Sequence, residues 1–454
     1  MKPATKSHRL RRLAAVALVG SIAIAACGSS SSSKPAATTT AAANPGTTAG
    51  TPTTAATPTT VATLATAATP ATASTTAGTD RTGQTIKVGV VNQDSGPVPF
   101  PDFRAGAEVA IKNINDSGGI NGAKLETVSC STSLSPESSI NCANQMIEAG
   151  VVLAYTGADF TAEAGLPAYT EAKIPVLTTV GWGPSLETTP GVHILGSANG
   201  ATAVGALALM QQLKLTKIAL AYDNVPAAQH FAQDTVPAIA KNMGIEVQPI
   251  PVDTAAPDFA SIVATAQAGG AQAFWGIQAE PGCTAMVNAA LAANFNGPII
   301  AGSCTDYINA IGDKSVGTYS VLTQLNPDTG GGASADIAKH LDDFTKLMAA
   351  AGQEKLISSN SIAAFGAWTE LASVLKGVQG DITAASVDAA LSADKPITGW
   401  FRPDINCGAK SWPDVPSYCS AQVSVWQVEK KADGTLGRKS VIDFFDAYKK
   451  STGG

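Results

Sequence analysis

From Ile86 onward, short β-branched runs alternate with stretches of helical periodicity, and this alternation constrains the fold more than any other feature of the chain. It is the pattern of parallel strands joined by crossover helices. Ile86–Val91 reads as the first strand. Phe103, Ala107, Ala110, Ile111 and Ile114 then recur at three- and four-residue steps on a helix begun by Pro101-Asp102 and ended by Gly118-Gly119. Leu125–Ser129, Val151–Tyr155 and Pro175–Thr179 continue as strands two to four, with one helix starting at Ser135-Pro136-Glu137 and another over 162–172. Four βα units make one lobe.

After Asn199-Gly200 the alternation repeats. Helices over 201–213, 226–242, 257–268 and 281–293 precede strands Lys217–Tyr222, Ile245–Val252, Ala271–Ile277 and Pro298–Ala301 in turn. Beyond about Thr318 come an extended run Tyr319–Leu325, long helices near 334–351 and 360–377, and an irregular tail ending in Gln422–Val428. The expected fold class is α/β: two doubly wound parallel-sheet lobes joined by a hinge that the chain crosses several times. The expected boundaries are 84–199 with 326–454 for the first, discontinuous lobe and 200–325 for the second.

The first 83 residues read differently. A basic stretch ending at Arg12 and an apolar run Leu13–Ala26 form the two parts of a signal peptide over 1–26. Ile24-Ala25-Ala26-Cys27 is similar to the lipobox of bacterial lipoproteins, which makes Cys27 the expected lipidation site. From Gly28 to Thr79 the chain is Ser, Thr, Ala, Pro and Gly with Lys34 its only charge, too little apolar surface to offset an ordering cost of ~1–2 kcal/mol per residue. Residues 27–83 are therefore expected to be an anchor and disordered tether, about 40 Å in root-mean-square span and a candidate for O-glycosylation.

Net charge is −6, and loss of the five bases of residues 1–26 would leave 24 bases against 35 acids, or −11. This excludes a nucleic-acid footprint. Seven cysteines minus Cys27 leave six, an even number suited to an oxidising compartment. Spacings of 12, 21 and 12 favour sequential pairs, Cys130 with Cys142, Cys283 with Cys304 and Cys407 with Cys419, because each pair then lies within one supersecondary unit. With no C-x-x-C and only scattered histidines, neither a metal site nor a cofactor is expected. Gly-x-Ser-x-Gly, the phosphate-binding loop and His-Glu-x-x-His are all absent, and Gly181-Trp182-Gly183 lacks the rest of a dinucleotide motif, so no catalytic residues are assigned.

The alanine-rich helix ending Ile114-Asn115-Asp116, followed by Gly118-Gly119-Ile120-Asn121-Gly122 and a strand, resembles the type I periplasmic solute-binding proteins of the branched-chain amino acid group, as does Asp258-Phe259 with Ile262-Val263 and Ala266. The resemblance covers about residues 84–400. It implies a Venus-flytrap receptor of an ABC importer, outside the plasma membrane, that captures an amino acid, amide or related small polar solute and delivers it to a permease. It also implies that hydroxyls and main-chain amides of the first lobe hold the ligand while the second lobe closes. A ligand-sensing lipoprotein signalling to a membrane receptor is the alternative, and a monomer is expected.

In such sheets ligands sit beyond the carboxyl ends of the strands. The candidate ligand-binding residues are Gln93, Ser95, Asp159, Thr161, Thr178, Thr179 and Trp182 in the first lobe and Tyr222, Gln278 and Glu280 in the second. By resemblance Glu280 would face a ligand ammonium, Thr178 and Thr179 would donate hydroxyls, and Trp182 would stack or wall the cleft. Trp182 stands where the group usually has a small hydroxyl residue, and Val225-Pro226-Ala227 lacks an expected aromatic. These departures leave amides, carboxylates and aromatic compounds open as ligands.

Overall fold

The computed structural model describes residues 79–454 apart from 97–98, 182, 279, 333 and 454, and only the backbone of Ala227. The signal peptide, Cys27, most of the tether and Trp182 lie outside the described residues.

Strands β1 (Thr85–Gln93), β2 (Lys124–Thr132), β3 (Ala154–Thr156), β4 (Val176–Thr178) and β5 (Val192–Ser197) come first in the chain, each followed by helix. Then come β6 (Lys217–Asp223), β7 (Glu246–Val252), β8 (Ala273–Ile277), β9 (Ile299–Ile300), β10 (Tyr319–Leu322), β11 (Tyr418–Ser420), β12 (Gln422–Lys430) and β13 (Leu436–Asp446). One sheet has the order β11-β5-β4-β3-β1-β2 and the other β13-β12-β10-β9-β8-β6-β7. The first is parallel throughout, and the second is parallel except where β12 pairs antiparallel with β10 and β13. The doubly wound pattern accounts for the β1 sequence: Val88 and Val90 face one helical layer and Val91 the other, so the run is apolar on both sides.

The helix Pro101–Asp116 carries Phe103, Ala107, Ala110, Ile111 and Ile114 to the core, as its periodicity predicts. It packs on the helix Ser359–Gly377, which is buried nearly all round and contributes Phe365 and Trp368. The two backbones meet at Gly106, where a Cβ would lie 2.2 Å from the Ser361 carbonyl oxygen. Any side chain there would drive the helices apart. Gly118 and Gly119 take φ of +94° and +66°, values that glycine adopts without steric cost. The three cysteine pairs form as spaced: Cys130–Cys142, Cys283–Cys304 and Cys407–Cys419.

Two departures from the sequence reading concern the lobes. Val192–Ser197 is a fifth strand in the first sheet. The expectation that 326–454 belongs wholly to the first lobe fails for Gln422–Asp446, which enters the second sheet: Val321 pairs with Val425, and Val423 and Val425 bury against the helix Asn199–Gln212. The chain therefore passes between lobes at Ala198, within 323–326 and at Ala421. Ala198 N–H donates to Ser420 O at 3.1 Å, and Leu325 N–H to Phe401 O at 2.6 Å, so one crossing is bonded to the first lobe as it leaves it and the other as it enters it.

Candidate functional site

The carboxyl ends of β1, β3 and β4 bring Gln93, Asp159, Thr161, Thr178 and Thr179 together on the first lobe. Asp159 is buried and accepts from Ser139 Oγ at 2.7 Å, Thr161 N–H at 2.9 Å and Thr161 Oγ1 at 2.8 Å. This network ties the loop after β3 to the helix Pro136–Ala149. Asn92 braces the same region: its Oδ1 accepts from Ala158 N–H at 3.1 Å and its Nδ2 donates to Phe100 O at 2.8 Å. Gln93 is buried, with its N–H donating to Ala158 O at 2.6 Å. Ser95 is exposed and donates to Thr132 O at 3.3 Å. Thr178 donates to Val180 O at 3.2 Å.

Three buried hydroxyls stand apart from these networks. Thr156 Oγ1, Thr179 Oγ1 and the Tyr155 hydroxyl have no partner within hydrogen-bond geometry. Burial pushes the Tyr155 phenol up, opposed by the nearby Thr179 hydroxyl and by the charge of Arg402. Buried polar groups are ordinarily partnered, and leaving one bare costs about 1–3 kcal/mol. Of the three, the sequence reading named Thr179. Thr156 and Tyr155, which resembles an ordinary core aromatic, are not among the candidates read from the sequence.

On the second lobe, Tyr222 is buried and its hydroxyl accepts from Gln233 Nε2 at 2.5 Å, while Gln278 Nε2 has no partner. Glu280 is committed within its own lobe. Its carboxylate accepts from Thr305 N–H at 2.9 and 3.1 Å, Thr305 Oγ1 at 3.1 Å and Asp306 N–H at 3.1 Å, which pins the loop after β9. Burial, then the charge of Asp306, raises its pKa against those bonds. The Asp306 carboxyl is raised by burial too, and the charge of Asp102 on the first lobe adds to the effect. Among the described residues no cluster of three His, Cys, Asp or Glu is placed to hold a metal ion, and no helix is long and apolar enough to cross a membrane.

A model of the periplasmic binding protein family matches residues 85–411, or 327 of 454. The chain belongs to the periplasmic binding protein family. It is a family of extracytoplasmic binding proteins. Among curated relatives, the Leu/Ile/Val-binding protein of Escherichia coli (strain K12) is 29% identical over 40% of this chain, and the match spans about half of that relative, 51%. Leu/Ile/Val-binding protein homolog 1 of Brucella melitensis is 25% identical over 77% of this chain and 92% of its own. Among solved structures, an ABC transporter substrate-binding protein from Sphaerobacter thermophilus superposes with a TM-score of 0.67 at 18% identity, covering 80% of this chain and 99% of that one. A solute-binding protein of an ABC transporter from R. palustris, in complex with 4-hydroxybenzoate, gives 0.66 at 20% identity over 80% and 97%. These two likenesses bear on the fold.

In this periplasmic binding protein the first-lobe loop after β4 is wired to the crossings. Asn199 Nδ2 donates to Gly181 O at 2.9 Å and to Glu187 Oε1 at 3.0 Å, and the Tyr418 hydroxyl donates to Glu187 Oε1 at 3.0 Å. Gly181 N–H donates to the same phenol at 3.2 Å. Asn199 opens the first helix after one crossing and Tyr418 opens the strand before another. A loop on the cleft and two hinge segments thus share one carboxylate, whose pKa burial raises while Tyr418, Asn199 and the more distant His230 of the second lobe lower it.

Proposed function

We propose that this protein is an extracytoplasmic receptor that holds a small carboxylate-bearing solute between its two lobes and delivers it to an ABC-type permease. The observation that carries the reading is the pair of unpartnered, buried hydroxyls Tyr155 and Thr179 at the ends of the neighbouring strands β3 and β4. Hydroxyl donors without acceptors suit an anionic oxygen, and hydrogen bonds to a charged group are the stronger kind. The molecules named for its relatives, leucine, isoleucine and valine for one and 4-hydroxybenzoate for another, have a carboxylate in common. Glu280, already holding Thr305 and Asp306, is not the ammonium partner in this reading; Thr179, with Gln93 and Gln278 beside the cleft, contacts the solute.

Ligand can bias closure only through contacts that favour the closed arrangement, and three crossings make a hinge about which such a bias acts. In the same proposal the chain is exported by residues 1–26 and anchored by a lipid on Cys27, with 28–83 as its tether; Cys27→Ser would then release it from the membrane fraction. Thermal-shift measurements against small carboxylates and their methyl esters test the receptor reading. A saturable rise for at least one acid and none for its ester is expected. Equal responses to acid and ester, or no response across the panel, would overturn it.

A further inference from the structure

Residues 406–417 belong to neither sheet, and they carry one side chain of the first lobe onto the second. The Cys407–Cys419 disulfide closes the base of this segment, and Asn406 N–H donates to Cys419 O at 2.8 Å. Trp412 stands near its middle. The partly buried ring packs against two clusters, one of the first lobe that holds Leu186, Ala198 and Tyr418 and one of the second lobe that is built on the helix Asn199–Gln212. On the second lobe it meets the Tyr448 ring at 5.4 Å and 65°, and it lies so close to Gly200 that a Cβ there would stand 2.7 Å from Cη2 and Cζ2. Gly200 comes directly after Asn199, at the start of the helix that follows the Ala198 crossing.

The other end of the segment grips the cleft. Ser417 N–H donates to Glu187 O at 3.1 Å and the Tyr418 hydroxyl donates to Glu187 Oε1 at 3.0 Å, while Gly181 N–H donates to the same phenol at 3.2 Å. Gly181 lies in the loop that carries Thr179. One covalently closed segment thus touches the second lobe through Trp412 and the cleft loop of the first lobe through Glu187. Thr305 and Asp306 of the second lobe share a space of only about 140 Å³ with Ile357 and Ser358 of the first, so the ring is seated while the lobes are close. Rotation about the Ala198 crossing moves Gly200 against the indole, which has no clearance there, and a contact made in one arrangement and lost in another biases the equilibrium between them.

We propose that residues 407–419 form a strap across the hinge that favours the shut lobes, with Trp412 as its positioning residue: the indole holds the second lobe at Gly200 and Tyr448, and Ser417 and Tyr418 carry that hold to the loop after β4. In this proposal the strap makes no contact with solute. It sets affinity through the share of molecules in the shut arrangement and so scales it alike for every solute. Its use rests on the receptor reading above, whereas its contacts do not.

The test compares the whole protein with its Trp412→Ala form. Affinities for several small carboxylates, measured by titration calorimetry, are expected to fall about tenfold and by the same factor for each acid, with Trp412→Phe restoring most of the loss. Gly200→Ala, whose methyl group displaces the ring, is expected to weaken binding in the parent and to change nothing in the Trp412→Ala background. With no solute present, hydrogen exchange at Gly181 N–H is expected to quicken severalfold in Trp412→Ala, an effect that loss of surface packing alone would not carry to the cleft loop. This arm judges the strap even where no carboxylate binds. Carboxylates that bind both forms equally would overturn the strap and leave the receptor reading standing; factors that differ from acid to acid, or Gly181 exchange as slow as in the parent, would also overturn it.

Discussion

The Ser197 hydroxyl donates to Gln422 O at 2.6 Å and lies 3.0 Å from Ser420 Oγ, joining the end of one sheet strand to the segment where the chain makes its last passage between lobes. Both serines are buried. Two of the three crossings are thus held side by side by a hydroxyl, a group that restrains their spacing while leaving the backbone free to rotate. Ser197→Ala leaves the Gln422 carbonyl without this donor and is expected to cost about 1–2 kcal/mol in urea unfolding. An unchanged midpoint would show that the bond has no mechanical part in the hinge.

The buried ion pair of Glu370 and Arg402 predicts a pattern rather than a single number. Arg402 meets Glu370 at 3.2 Å through Nε and 2.5 Å through its terminal nitrogen, and Trp400 N–H adds a bond at 3.3 Å. Glu370→Leu alone strands a buried guanidinium and is expected to cost about 3–5 kcal/mol, whereas Glu370→Leu with Arg402→Met should recover most of that loss. Denaturation of the single and double variants checks this; additive losses would contradict it.

Acidity should first stabilise the fold. Glu187, Glu280 and Asp306 have pKa values raised mainly by burial, so between their unfolded and folded values the native state binds more protons than the unfolded chain. Stability therefore rises as pH falls through those folded values, and the gain is complete near the unfolded carboxylate range of about 4. Asp388, lowered by its bond to His193, acts oppositely but only at still lower pH, as it protonates. Melting temperature is expected to increase as pH is lowered from neutrality towards the unfolded carboxylate range of about 4, and a steady fall over that interval would contradict the assignment.

Much of the architecture was legible because apolar runs of strand length and helical periodicity are local signals. Ile86–Val91, the helix from Pro101 and the cysteine spacings declared themselves in this way. Two features of the sheets were not legible, for physical reasons. Val192–Ser197 contains His193 and Gly196 and makes a weak β signal, yet β4 and β11 pair with it from both sides. Gln422–Val428 was seen, but its return to the second sheet depends on the open edge of β10, which no local pattern reveals. At the site, residue type singled out both Thr179 and Glu280, but it could not show that the carboxylate's four bonds come from Thr305 and Asp306, 25 and 26 residues on.

Thr179 should separate binding from folding. Its hydroxyl meets no group of the protein in hydrogen-bond geometry and lies near only the Tyr155 phenol, so Thr179→Val removes little that the fold uses. Melting temperature is expected to hold or rise slightly, while affinity for a bound carboxylate falls about tenfold or more, the worth of a hydrogen bond to a charged group. Titration calorimetry on both forms measures this, and equal affinities would remove Thr179 from the site.

Small-angle X-ray scattering from residues 79–454, with and without the carboxylate that gives the largest thermal shift, tests most directly whether the lobes shut on their solute. The account predicts a saturable decrease in radius of gyration that tracks binding. A solute that binds tightly and leaves the scattering unchanged would contradict it.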